Sequence, residues 1–240
     1  TYSPPALTAD TWYKRVVNSS LNGVICTEET NAVKVNVNNF DPGSIDADQT
    51  ICEGANANPF TSVTPTGDFA SVAYQWYSST DGSTFNPIGG ATTETYDPGA
   101  LTADTWYKRE VTATLNGVPC IEETNIVKVT VINFDPGSID ADQTICEGSN
   151  ANSLTSVSPT GDGSFSYQWY SSTDGTNFNP VAGAIYETYN PGALTVDTWY
   201  KRAVTASLNG TDCTEETNTV KITVINFNEG SIGSDQTICE

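Results

Sequence analysis

Thr95-Tyr96-Asp97-Pro98-Gly99-Ala100-Leu101-Thr102-Ala103-Asp104-Thr105-Trp106-Tyr107-Lys108-Arg109 decides the fold, because nearly the same words stand at 1–15 and again at 188–202. Trp12 and Trp106 are 94 residues apart, and Trp106 and Trp199 are 93 apart. The chain is therefore a tandem array, and any feature present in every copy describes the module. The repeats divide the 240 residues into 1–42, the back half of one copy; 43–136 and 137–229, two complete copies; and 230–240, the start of another. This phase predicts an interior piece of a longer array.

Working outward from that stretch, each copy reads as short strands. In 11–19, Tyr13, Val17 and Ser19 share one face, and Val33-Lys34-Val35-Asn36-Val37 alternates apolar and polar, as half-buried strands do. Asn22-Gly23, Asn116-Gly117 and Asn209-Gly210 suit two-residue hairpin turns. Val72-Ala73-Tyr74-Gln75-Trp76-Tyr77 is the strongest strand of the front half, with Val72, Tyr74 and Trp76 on one face; 60–64, 84–88 and 93–96 read as shorter ones. No window holds a helical period. About seven strands in each copy, with turn signals between them, predict an all-β chain of tandem immunoglobulin-like β-sandwiches arranged as an extended rod. Trp76 and Tyr107, with Trp169 and Tyr200 in the next copy, are the expected core anchors. Asp41-Pro42-Gly43 and Asp135-Pro136-Gly137 form short, stiff joints.

The net charge is -20, with nine Lys and Arg falling three to a copy. No basic cluster is left for nucleic acid or an anionic membrane, and no apolar run is long enough to span a bilayer. Neither is expected as a partner. The surplus of acid makes neighbouring copies repel and keeps an array soluble.

Six cysteines stand in two registers, Cys26, Cys120, Cys213 and Cys52, Cys146, Cys239, as strictly phased as the tryptophans. With no histidine and no Cys-x-x-Cys, they read as disulfides of an oxidising compartment rather than zinc ligands. Three pairings respect the period: Cys52 with Cys120 inside a copy, Cys120 with Cys146 across a joint, or a longer link between copies. The first is preferred, giving Cys52–Cys120 and Cys146–Cys213, with Cys26 and Cys239 paired outside this stretch. The reasoning is that a short first strand parallel to the last brings Cys52 to Cys120, whereas the last strand carries the chain about 14 residues away before Cys146.

Asp48-Gln49-Thr50-Ile51-Cys52-Glu53-Gly54, Tyr74-Gln75-Trp76-Tyr77, Ala103-Asp104-Thr105-Trp106-Tyr107 and Asn116-Gly117 with Cys120 resemble the immunoglobulin-like and PKD-like repeats of very large surface adhesins of Bacteroidota, including flavobacterial and gliding-associated ones. The resemblance covers the whole chain. It implies an extracellular location on the bacterial cell surface, export by type IX secretion, and a structural role as the shaft or stalk of an adhesin fibre. Neighbouring repeats, other copies of the fibre or a surface ligand are then the partners. The alternative is a multivalent module that binds glycan or protein.

No nucleophile stands beside a plausible base and no Gly-x-Ser-x-Gly elbow is present, so an enzyme is not expected and no cofactor is called for. Asp46 and Asp48, repeated as Asp140 and Asp142, are calcium candidates at the joint; the competing reading is a solvated acidic linker, since no Asp-x-Asp-x-Asp-Gly loop is present and Gly233 stands at the equivalent place further on. Lys34, Lys128 and Lys221 alternate with core-facing valines and so point outward, which argues against an isopeptide bond. Arg109 falls in phase with Tyr107 and Val111, where it either stacks on an aromatic ring, pairs with an acid, or sends its head to water. Trp106, out of phase with that face, covers an edge, lines a contact between copies, or forms a ligand platform.

Overall fold

The computed structural model describes residues 1–239, which contain strands, turns and isolated bridges and no helix. The chain divides into two compact units. The first comprises Thr1–Gln49 and Ala55–Thr130; the second comprises Thr50–Gly54 and the chain from Val131 onward.

In the second unit, one six-stranded sheet runs in the order Gln143–Cys146, Val220–Ile225, Thr198–Leu208, Ser164–Ser172, Asn179–Pro180, and Thr211–Glu216 also pairs with Thr198–Leu208. The long strand Thr198–Leu208 is the spine, since its alternation buries Tyr200, Arg202, Val204 and Ala206 on one face. The Asn209-Gly210 turn that follows has positive φ at both residues, 51° and 81°, so it matches the twist of the two strands it joins. The returning chain shifts register by one residue at Asn218: Ala203 pairs with Glu216, but Tyr200 pairs with Val220. This is a β-bulge, and it re-aims a side chain. Asn218 accepts from the Ile139 amide at 2.8 Å and donates to the Ile139 carbonyl at 3.0 Å, fastening the facing layer.

That facing layer is slight. It consists of Ser138–Ile139 with Ser156–Val157 and two isolated bridges, Asn150↔Ala193 and Leu154↔Tyr189. Between the layers lie Trp169, Leu154, Tyr200, Val220 and Ile222, all buried, with Tyr189 packed on them. The unit is an immunoglobulin-like β-sandwich.

The first unit repeats the plan: Val127–Ile132, Thr105–Leu115, Ser71–Ser79 and Asn86–Pro87 follow one another in sheet order. Trp76 is fully buried, stacked on Phe60 at 5.7 Å, and its indole N–H donates to the Thr93 carbonyl at 2.9 Å. Asn125 holds Ile45 as Asn218 holds Ile139. Residues 1–42 form Thr11–Tyr13 with Val33–Val35 and the hairpin Val16–Leu21 with Val24–Glu29, and their valines are largely exposed.

Three expectations differ in detail. The strand expected over 11–19 breaks at Lys14-Arg15, whereas its counterpart runs unbroken over Thr105–Leu115. The strands expected at 60–64 and 93–96 are isolated bridges, Phe60↔Tyr96 and Ile45↔Ser62, with Phe60 and Tyr96 packed on Trp76. At 84–88 only Asn86–Pro87 pairs.

Candidate functional site

The site is a cross-link and the residues that seat it. The structure pairs Cys52 with Cys213, 161 residues apart, with Cα atoms separated by 5.6 Å. Cys120 and Cys146 carry no disulfide, nor do Cys26 and Cys239. The pairing therefore differs from Cys52–Cys120 and Cys146–Cys213 and is the longer link between copies. The reason lies in register. The first strand is parallel to the last, as expected, but it docks at the far end of it: Cys146 stands opposite Ile225, three residues past Ile222, which pairs with Thr198. Cys213 stands opposite Ala206, eight residues along the spine in the other direction. About 11 strand positions at ~3.3 Å each put the two sulfurs at opposite ends of the sheet, far beyond disulfide reach.

Cys52 instead reaches the hairpin tip of the following copy. Cys213 is buried with Ile132 and Ala206, and Cys52, Phe134, Phe165 and Leu208 pack around them. Polar contacts flank the bond: the Asn209 side-chain amide donates to the Thr50 hydroxyl at 3.2 Å, and the Thr211 hydroxyl donates to the Thr50 carbonyl at 3.2 Å. The bond is thus dry on one side and registered by hydrogen bonds on the other.

A second device seats the turn that opens each copy. Arg109 and Arg202 are fully buried. Arg202 donates to the carbonyls of Glu187 at 2.7 Å and Pro136 at 3.0 Å and to the Ser156 hydroxyl, while its plane lies 5.1 Å from the Tyr167 ring. Arg109 does the same to Glu94 and Pro42, over Tyr74. Burial holds both guanidinium groups below their ordinary pKa, and the nearby tyrosine and glutamate oppose that shift. Of the readings open for Arg109, aromatic stacking applies, and carbonyls take the place of an acid. The chemistry suits a guanidinium fork, which offers several donors in fixed directions.

The acids at the joint are engaged by protein donors. Asp46 accepts from the Thr61 amide and hydroxyl, and Asp140 from the Thr155 hydroxyl. Asp48 accepts from the Lys128 amide and Asp142 from the Lys221 amide, both at 2.7 Å. Among the described residues no three candidate metal ligands lie together. Lys128 and Lys221 form ion pairs with Asp104 and Asp197. Trp106 stands on the central strand, paired with Lys128 on one side and Ser79 on the other; the Lys128 ammonium sits 4.8 Å over its ring, and a Cβ on Gly82 would come within 3.2 Å of it. Trp76, Tyr107, Trp169 and Tyr200 are at most 3% exposed. Burial pushes the Tyr107 and Tyr200 phenols up to about 12.

Among solved structures, three domains of the Highly Immunogenic Outer Capsid protein of bacteriophage RB49 match at 13% identity and a TM-score of 0.48, over 94% of this chain and 92% of that one. A run of titin domains matches at 16% identity and 0.41, over 90% and 75%. The insect immune protein hemolin matches at 14% and 0.40, over 89% and 56%. No curated protein matches. The model of one family, described as Domain of unknown function (DUF8696), matches residues 41–133 and again 135–226, so this chain belongs to that family and carries two of its domains in tandem.

Proposed function

We propose that the chain is a structural segment of an extracellular bacterial surface fibre, the shaft or stalk of an adhesin of the Bacteroidota type, exported by type IX secretion in the manner of gliding-associated proteins. The observation that carries this reading is the Cys52–Cys213 bond, which runs from the opening of one copy to the hairpin of the next. A cross-link of that span braces an array and contributes nothing to a ligand pocket. Disulfides persist in oxidising, exported settings, which supports the location. Neighbouring repeats and other copies of the fibre are then the partners, and the net charge of -20 opposes collapse of the array on itself.

Three measurements test the reading. Small-angle scattering from chains of increasing copy number should give a length that grows in proportion to that number. A glycan array should show no saturable retention; retention abolished by Trp106→Ala would assign a multivalent binding module instead. Melting in EDTA should match melting in calcium, because the joint aspartates are already taken by protein donors.

A further inference from the structure

The first unit contains a groove of about 310 Å³ lined by Asn36, Asn38, Leu115, Asn116, Val118 and Cys120. Each of the last four has a counterpart 93 residues on, in Leu208, Asn209, Thr211 and Cys213, and Asn38 corresponds to Ile132. Those counterparts are the residues that receive Thr50 and Cys52 in the second unit. The groove is thus lined by the counterparts of the residues that hold Thr50 and Cys52 in the second unit. Its wall has the same construction: Asn38 donates to the Ala113 carbonyl, just as Ile132 packs on Ala206. The Asn38 side-chain oxygen, on a residue that lines the groove, is buried with no partner. Of the two flanking hydrogen bonds, only the one from Asn116 carries over, since Val118 replaces Thr211.

We propose that this groove receives a Gln-Thr-Ile-Cys strand from a preceding repeat of the same polypeptide, and that Cys120 is disulfide-bonded to that strand's cysteine. The observed bond is itself within one polypeptide, with the strand cysteine 161 residues before the hairpin cysteine, which favours that source over a second copy. Cys146, in the strand register, is by the same rule a donor to a following repeat. The disulfides of the array are then staggered, each fastening the opening strand of one repeat to the hairpin of the next. Formation of each bond converts two thiols to one disulfide; two protons are released and two electrons pass to a small-molecule disulfide such as oxidised glutathione, which leaves as two thiols. The inference concerns the cross-link alone and holds whatever the array carries.

The test uses the 240-residue chain and a synthetic peptide of residues 234–240, Ser-Asp-Gln-Thr-Ile-Cys-Glu, in a glutathione redox buffer. Peptide mapping should find the peptide on Cys120 at least tenfold over the exposed Cys26 and Cys146, and Ile238→Asp in the peptide should erase that preference. Even distribution over the thiols, or preference for Cys146, overturns the proposal. A second protein, with residues 43–94 fused ahead of Thr1 to rebuild a preceding repeat, should be monomeric and carry the bond from the added copy of Cys52 to Cys120. Oligomers linked through Cys239 and Cys120 would instead overturn the same-polypeptide source.

Discussion

At the scale of the residue, the two buried arginines do most to separate this chain from a generic sandwich. A guanidinium under aromatic rings and against backbone carbonyls fixes where the chain enters each copy, because the Pro136 carbonyl is one of its acceptors. Arg202→Ala leaves the part-buried Pro136 and Glu187 carbonyls without this partner, at up to about 1–3 kcal/mol each. Arg202→Lys should recover little, since an ammonium cannot span the two directions; urea melts of the three proteins check both. The buried phenols give a second prediction. Tyr200 is pushed up to about 12 by burial, against roughly 10 in an unfolded chain. Its neutral form is the one the fold favours, so its contribution is full below about pH 10 and is lost as pH rises through its folded value. Ultraviolet titration should show Tyr107 and Tyr200 ionising well above the ordinary tyrosine range, and Tyr200→Phe should flatten the alkaline loss of stability in the second unit. The placement of Arg109 on the inward face follows from its phase with Tyr107 and Val111. Its acceptors do not, because carbonyls carry no sequence signature.

At the scale of the element, turns and bulges fasten the layers. Asp174 accepts from the Thr176 and Asn177 amides, the Asn177 side chain and the Ser172 hydroxyl, which hold its carboxyl well below the usual range. The sign follows: this contribution is present above roughly pH 3.9 and is lost as pH falls toward the folded value. Asp174→Asn should remove that acid dependence while lowering the melting temperature at neutral pH, as calorimetry across pH 2–7 would show. The Asn-Gly hairpins were legible because positive φ at two successive residues demands those residue types. The bulge at Asn218 was not, since Glu216-Thr217-Asn218-Thr219 looks like a plain end to one strand and start of another. Missing it also hides how far the first strand travels, because its docking register is set beyond the bulge.

At the scale of the whole molecule, the repeats and the sandwich were legible from the period, but the disulfide partner was not. A strict period fixes a cysteine's phase and is silent on which copy supplies its mate: Cys120 and Cys213 share one phase, and only the parallel docking of the first strand at the end of the last separates them. The consequence for stability is large. Closing a loop of 161 residues is worth about 5 kcal/mol on the chain-entropy model. Cys213→Ser should therefore lower the urea midpoint of the second unit far more than Cys146→Ser, whose thiol carries no bond in this chain.

The same bond decides what happens when the chain is pulled by its ends. Tension arriving along the backbone at Cys52 crosses directly to Cys213 through two sulfur atoms, and the residues between them hang as an unloaded side loop. With ~3.4 Å of extension per residue, roughly 540 Å of contour stays locked away while the bond is intact. In an optical-trap experiment the oxidised chain should run taut without yielding that length, and a thiol reductant should release it. A tether wired in this way holds back the residues between its two sulfurs by covalent chemistry rather than by the folding of the strands they contain.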